Sequence, residues 1–150
     1  DSIMALQKAL DAHRPSILHL STHGHRDGGG RVLRNWRGRP CILSDQDLVR
    51  LLKPVMDDVH CVVLAACSSA EQAQAIAEHV DCAVGVPGKA SEDWLIRFCK
   101  VFYGALADGY SVGEALDLAC MDLKTEVNEE DLPQIFGDAT LVFIEAEKGR

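Results

Sequence analysis

Apolar residues fall along this chain in two kinds of run, and their alternation sets the expected architecture. Short, nearly unbroken runs come at Ser16-Ile-Leu-His-Leu-Ser-Thr22, Val59-His-Cys-Val-Val-Leu-Ala-Ala66 and Asp81-Cys-Ala-Val-Gly-Val86. They are rich in Val, Ile and Leu and bounded by small or polar residues, as strands buried on both faces are. Between them apolar residues recur at helical spacing. Ser44-Asp-Gln-Asp47 is a near capping box, followed by Leu48, Leu51, Leu52 and Val55, with Pro54 closing the helix. Glu71 to His79 carries Ala73, Ile76, Ala77 and Val80 on one face. Ser91 caps a helix that buries Trp94, Leu95, Phe98, Phe102 and Leu106 and ends near Gly109. Ser111-Val-Gly-Glu114 is a full capping box, opening a helix with Ala115, Leu116, Ala119 and Leu123 inward.

The remaining stretches fill in the ends. Ser2 to Ala12 reads as a helix with Ser2 as N-cap, Ile3, Leu6 and Leu10 on one face, and Pro15 as its stop. Gly28 to Gly30 is a flexible turn. Arg31–Arg34 and Pro40–Leu43 flank Asn35-Trp-Arg-Gly38 as a β-hairpin, expected at the C-terminal edge of the sheet. Lys124 to Asp131 is acidic and loop-like, and Thr140-Leu-Val-Phe-Ile144 is the expected last strand, toward a sheet edge. Strands alternating with helices give an α/β layered fold, in one domain over 1–150. The first two strands are expected as parallel neighbours joined by a right-handed crossover, with the third beside them.

Composition removes several function classes. Apolar residues make up 47% and charged residues 25%, as in ordinary globular proteins. A net charge of −8 argues against a nucleic-acid binder, whose footprint is basic. No apolar run approaches the roughly 20 residues that span a bilayer, and the N-terminal stretch lacks the pattern of a signal peptide. The six cysteines, at 41, 61, 67, 82, 99 and 120, fall mostly inside strand or helix patterns. They read as reduced thiols of a cytoplasmic protein rather than a disulfide framework. With Asp1 rather than Met first, the expectation is a piece of a longer chain.

The chemistry lies where the strands end. Parallel neighbours bring their C-terminal ends side by side, and open α/β sheets bind ligands there. His23 and Gly24 follow the first strand; Cys67 follows the second, in Ala-Ala-Cys-Ser-Ser. A cysteine nucleophile works as a thiolate and needs a histidine to take its proton. The peptide N–H groups of Gly24 and Cys67 are the candidates for holding an oxyanion. The plainer alternative is that Cys67 is a small core residue, like Cys61 or Cys82. His19, inside the strand, reads as a satisfied core histidine. The arginines at 31, 34, 37 and 39 either grip an acidic partner or form a solvated hairpin.

Two resemblances bear on these residues. Thr22-His-Gly-His-Arg-Asp-Gly28 resembles the T-H-x-H-x-D signature of metallo-β-lactamase-fold hydrolases, which implies zinc on His23, His25 and Asp27. That family requires two mostly antiparallel sheets and further ligands, and His79 lacks the setting of one. The chain as a whole resembles the CHAT group of caspase-like cysteine peptidases. The matching stretches are Ile17 to Gly24, Val62 to Ser69, Val84 to Gly88, and Phe98 to Leu116 with its Phe-Tyr helix, Gly turn and Ser-Val-x-Glu-Ala restart.

The second resemblance implies a three-layer α/β/α sandwich around a mostly parallel sheet. It also implies an endopeptidase acting on a protein or peptide substrate without a cofactor, with His23 as catalytic histidine and Cys67 as nucleophile. Ser68, Glu92 and Asp93 become substrate-binding candidates. Acids at 92 and 93 suit a basic substrate side chain, and equally a helix N-terminus. Sheets of that family begin with a strand, a helix and a second strand that are not found in this sequence. The edge beside the His23 strand is therefore expected to be covered by a fused or companion regulatory segment. Two alternatives stay open: a catalytically silent caspase-like interaction module, and the zinc hydrolase.

Overall fold

A computed structural model describes residues 5, 8–10, 12, 15–21, 31–34, 37 and 39–144, of which 31–34, 40–43 and 55 are described by backbone alone. The first strand is β1 (Ile17–Leu20), followed by β2 (Arg31–Arg34) and β3 (Pro40–Leu43). Helix α1 (Asp45–Leu52) runs into a short 3-10 turn at Lys53–Val55 and then β4 (Cys61–Leu64). Next come α2 (Ala70–Ile76), β5 (Cys82–Gly85), α3 (Glu92–Ala107) and α4 (Val112–Leu123), and the chain returns as β6 (Gln134–Gly137).

The main sheet has the order β1-β4-β5-β6. The first three strands are parallel, as their sequence runs imply, and β6 is antiparallel to β5. The hairpin forms as well: β2 and β3 pair antiparallel in a two-stranded sheet of their own. The strand period of two divides the main sheet's side chains between two cores. Leu18, Val62, Leu64 and Ala83 face one way, against Leu48, Leu51 and Leu52 of α1 and Ala73 and Ile76 of α2. Cys61, Val63, Cys82 and Val84 face the other way, against Phe98, Phe102 and Leu106 of α3 and Val112, Leu116 and Leu123 of α4. Each fully buried side chain of this size contributes about 1.5–3 kcal/mol, so the two cores together outweigh any single polar contact.

The helix starts follow their local chemistry. The Ser44 hydroxyl accepts the Asp47 N–H at 3.1 Å while the Asp47 carboxylate accepts the Ser44 N–H at 3.2 Å. Ser111 and Glu114 repeat this at the start of α4, at 3.2 and 3.0 Å. Bonds from the Ser44 and Ser111 backbones hold both carboxyls below their ordinary range. Of the N-terminal helix, residues 5, 8–10 and 12 are helical and Leu10 is buried; Ser2, Ile3 and Leu6 lie outside the described residues. Among the described residues no helix is long and apolar enough to cross a membrane.

The expected last strand is misplaced. The last strand is not Thr140–Ile144 but β6, six residues earlier. Gly137 at φ +96° ends β6, and Asp138 then accepts the Thr140 N–H at 2.9 Å and its hydroxyl at 2.6 Å, turning the chain out of the sheet. The turn and the residue after it cap α4 instead. The N–H of Val112 donates to the Leu141 carbonyl at 2.9 Å, and that of Gly113 to the Ala139 carbonyl at 2.8 Å. Two of the helix's orphan amides are satisfied this way, and Leu141 and Phe143 pack on the α3–α4 core.

Candidate active site at the C-terminal sheet edge

The site is built outward from the end of β4. In the β1–β4 ladder Leu20 stands opposite Leu64, and the Ala65 N–H donates to the Leu20 carbonyl at 2.9 Å. The two strands therefore leave the sheet at the same level. Cys67 is the third residue beyond Leu64, and in the sequence His23 is the third beyond Leu20. His23, Gly24, His25 and Asp27 lie outside the described residues.

The turn carrying Cys67 is pinned by a serine that sequence reasoning missed. The Ser69 side chain is fully buried. Its hydroxyl faces the carbonyls of Ala66 at 2.8 Å and Leu64 at 3.0 Å, and accepts the Val86 N–H at 2.9 Å. One oxygen thus ties the exits of β4 and β5 together. The only hint in the sequence was a serine directly before a helix, the usual setting of an N-cap. Here the hydroxyl serves the strands, and no cap bond from it to α2 forms. Gly85 completes the joint: a Cβ there would stand 2.7 Å from the Ser69 carbonyl and 2.8 Å from the Ala73 Cβ, so α2 begins against bare β5 backbone.

Ser68 occupies the left-handed region at φ 52°, a conformation that costs a residue with a side chain about 1–2 kcal/mol. The amides of Ser68, Ser69 and Ala70 are taken by Gly88 and Val86 carbonyls at 2.7–3.0 Å. The Cys67 N–H has no acceptor among the described residues. The Cys67 sulfur, half-buried, lies against the Ala90 peptide: it accepts the Ala90 N–H at 3.1 Å and its thiol reaches the Ala90 carbonyl at 3.2 Å. Cys67 is thus not a core residue like Cys61 and Cys82, which are fully buried and paired across β4 and β5. Cys61's hydrogen bond to Cys82, with burial, drives its thiol far above the ordinary range, and that same bond lowers Cys82.

Beside the turn lies a cavity of about 370 Å³. Ser21, Ala65 and His19 line its strand side, and Glu92, Leu95, Ile96, Cys99 and Lys100 of α3 line the other. His19 is not a core histidine. It is exposed on β1, with Nδ1 2.6 Å from the Tyr103 hydroxyl and the two rings edge to face at 5.6 Å. Partial burial lowers the His19 pKa and raises those of Cys99 and Tyr103. Of the three substrate-binding candidates, Ser68 adjoins the sulfur in the chain and Glu92 lines this cavity. Asp93 is exposed in the first turn of α3, where an acid complements the helix dipole. The side chains of Arg31 and Arg34 lie outside the description, and Arg37 and Arg39 are exposed.

Among the described residues no group of three or more His, Cys, Asp or Glu side chains is placed to hold a metal ion. A scan against protein-family models and a search of curated proteins found no match to this chain.

Proposed function

We propose that this chain is a caspase-like cysteine endopeptidase domain in which Cys67 is the nucleophile and His23 its base. The observation that carries the reading is the level pairing of β1 with β4, Leu20 opposite Leu64, from which Cys67 and His23 are equally far along the chain. The half-buried sulfur on a tightly pinned turn supports it further. His23 takes the thiol proton as the sulfur attacks the substrate carbonyl. The resulting oxyanion is held by the Cys67 N–H, joined by that of Gly24. Collapse expels the amine, which receives the proton from His23 and leaves a thioester. His23 then activates water to release the carboxylate product and the free thiol.

The outer side of β1 carries no partner strand among the described residues. We propose that a fused or companion segment covers this margin as the regulatory element of a cytoplasmic effector, because proteins seldom leave a strand edge unpaired. The test of the reading is peptide cleavage with single variants. Cys67→Ala abolishes turnover and His23→Ala lowers it by at least about 10³-fold, while His25→Ala and Asp27→Ala keep most of it. Full activity of Cys67→Ala, or inactivation by a zinc chelator, sinks the assignment in favour of the zinc hydrolase.

A further inference from the structure

Resting on the peptidase reading, we infer that the cavity between the strand exits and α3 is the pocket for the residue that acylates Cys67, and that it takes a large uncharged apolar side chain of leucine size. Its position gives the first argument. Ala65 is two residues before Cys67, and Glu92 is two residues after Ala90, whose peptide touches the sulfur. One wall of the cavity thus begins two residues before the nucleophile, and the other two residues after the peptide that touches its sulfur.

Its lining gives the second. Ala65, Leu95, Ile96 and Cys99 make the apolar part of the described lining, with His19 and Ser21 on its strand side, and about 370 Å³ falls within the range of formed ligand pockets. Among the described lining residues Glu92 and Lys100 are the charged ones, opposite in sign and both exposed. A guanidinium drawn to Glu92 meets Lys100, and a carboxylate drawn to Lys100 meets Glu92. Exposed pairs of this kind add little, whereas a charged head moved against the apolar wall loses its hydration. Burial of an isobutyl group has no such opposing cost. Of the two sequence readings of the acid at 92, a basic substrate side chain or a helix N-terminus, the pocket favours the second.

The experiment uses four peptidyl acyloxymethyl ketones that differ only in the residue next to the ketone: Leu, Ala, Asp or Arg. Each alkylates a thiol as the sulfur attacks the ketone's methylene carbon and the carboxylate leaves, and intact-mass measurement gives the rate at Cys67. The Leu probe reacts at least about 10-fold faster than the other three, the discrimination expected of a hydrophobic pocket. Ile96→Asp, at a half-exposed position, brings Leu and Ala to near parity while iodoacetamide still labels Cys67 at the original rate. An Arg or Asp probe reacting fastest, or an unchanged preference in Ile96→Asp, overturns the pocket assignment and leaves the peptidase reading standing. If no peptide probe labels Cys67 faster than iodoacetamide does, the peptidase reading falls and the pocket assignment with it.

Discussion

The two margins of the sheet are finished in different ways. At the β6 margin the chain closes on itself: Gly137 sits against the Asp81 carbonyl in a conformation few other residues adopt, and the Asp138 N–H donates to that carbonyl at 2.7 Å. The segment that follows caps α4. At the β1 margin Leu18 is buried, where β6 buries none of its four residues, yet His19 is exposed and the cavity opens beside it. One margin is fixed by backbone geometry that tolerates no added atom. Each end strand makes one ladder, but among the described residues β1 has no such backbone lock: beside its ladder and the buried Leu18 it has a partly solvated His–Tyr pair, and it is the margin from which the candidate chemistry leaves the sheet. Low local stability commonly accompanies sites that must admit a ligand.

The largest test of this contrast is Gly137→Val. A branched side chain at φ +96°, with its Cβ about 3.0 Å from the Cys82 Cα, clashes with backbone that cannot move away. The expected loss is about 3 kcal/mol of unfolding free energy, or on the order of 10 °C in Tm by calorimetry. A loss under about 1 kcal/mol would show that this margin is looser than its geometry implies. Ser69→Ala comes next. It leaves the buried Val86 N–H unpaired and removes the donor to the Leu64 and Ala66 carbonyls, costing about 2 kcal/mol in urea unfolding. Ser69→Thr, which keeps the hydroxyl, recovers part of that loss if the bonds rather than the volume matter.

Alkaline pH gives the third test and probes the face between the margins. Cys61 is raised by its bond to Cys82 and by burial, Cys99 by burial, and Cys120 by burial to about 11, from an ordinary value of 9.0. The folded chain thus holds protons that the unfolded chain releases above pH about 9, and stability falls as pH rises past that point. Cys82 moves the other way and offsets part of the effect. Unfolding midpoints measured from pH 7 to 10 should stay level and then decline; a midpoint that rises above pH 9 contradicts the assignment. The smallest effect is expected from Tyr103→Phe at the open margin, within about 1 kcal/mol, since the freed His19 nitrogen can turn to water. A loss above about 2 kcal/mol would make the two margins equals.

How much was legible in the sequence follows from which signals are local. Three parallel strands and two capping boxes were readable because unbroken Val/Ile/Leu runs and Ser-x-x-acid patterns act over a few residues. Thr140–Ile144 misled because an apolar β-branched run fits any extended segment with one covered side. What decided its place was the pair of orphan amides at the start of α4, a long-range demand that periodicity does not encode. His19 was misjudged for a related reason. It occupies a strand position facing a helix, and how far that helix covers a residue on a margin strand is not written in the strand itself. Ser69 escaped because its hydroxyl serves backbone groups 3, 5 and 17 residues away.

The contact between the Cys67 sulfur and the Ala90 peptide has a mechanical side. Ala90 lies just before Ser91, whose hydroxyl accepts the Trp94 N–H and so fixes the start of α3. Helix α3 is 16 residues long, about 24 Å at 1.5 Å per residue, and runs from this point to the turn at Gly109. The first residue of that helix thus stands two residues beyond the peptide that touches the sulfur.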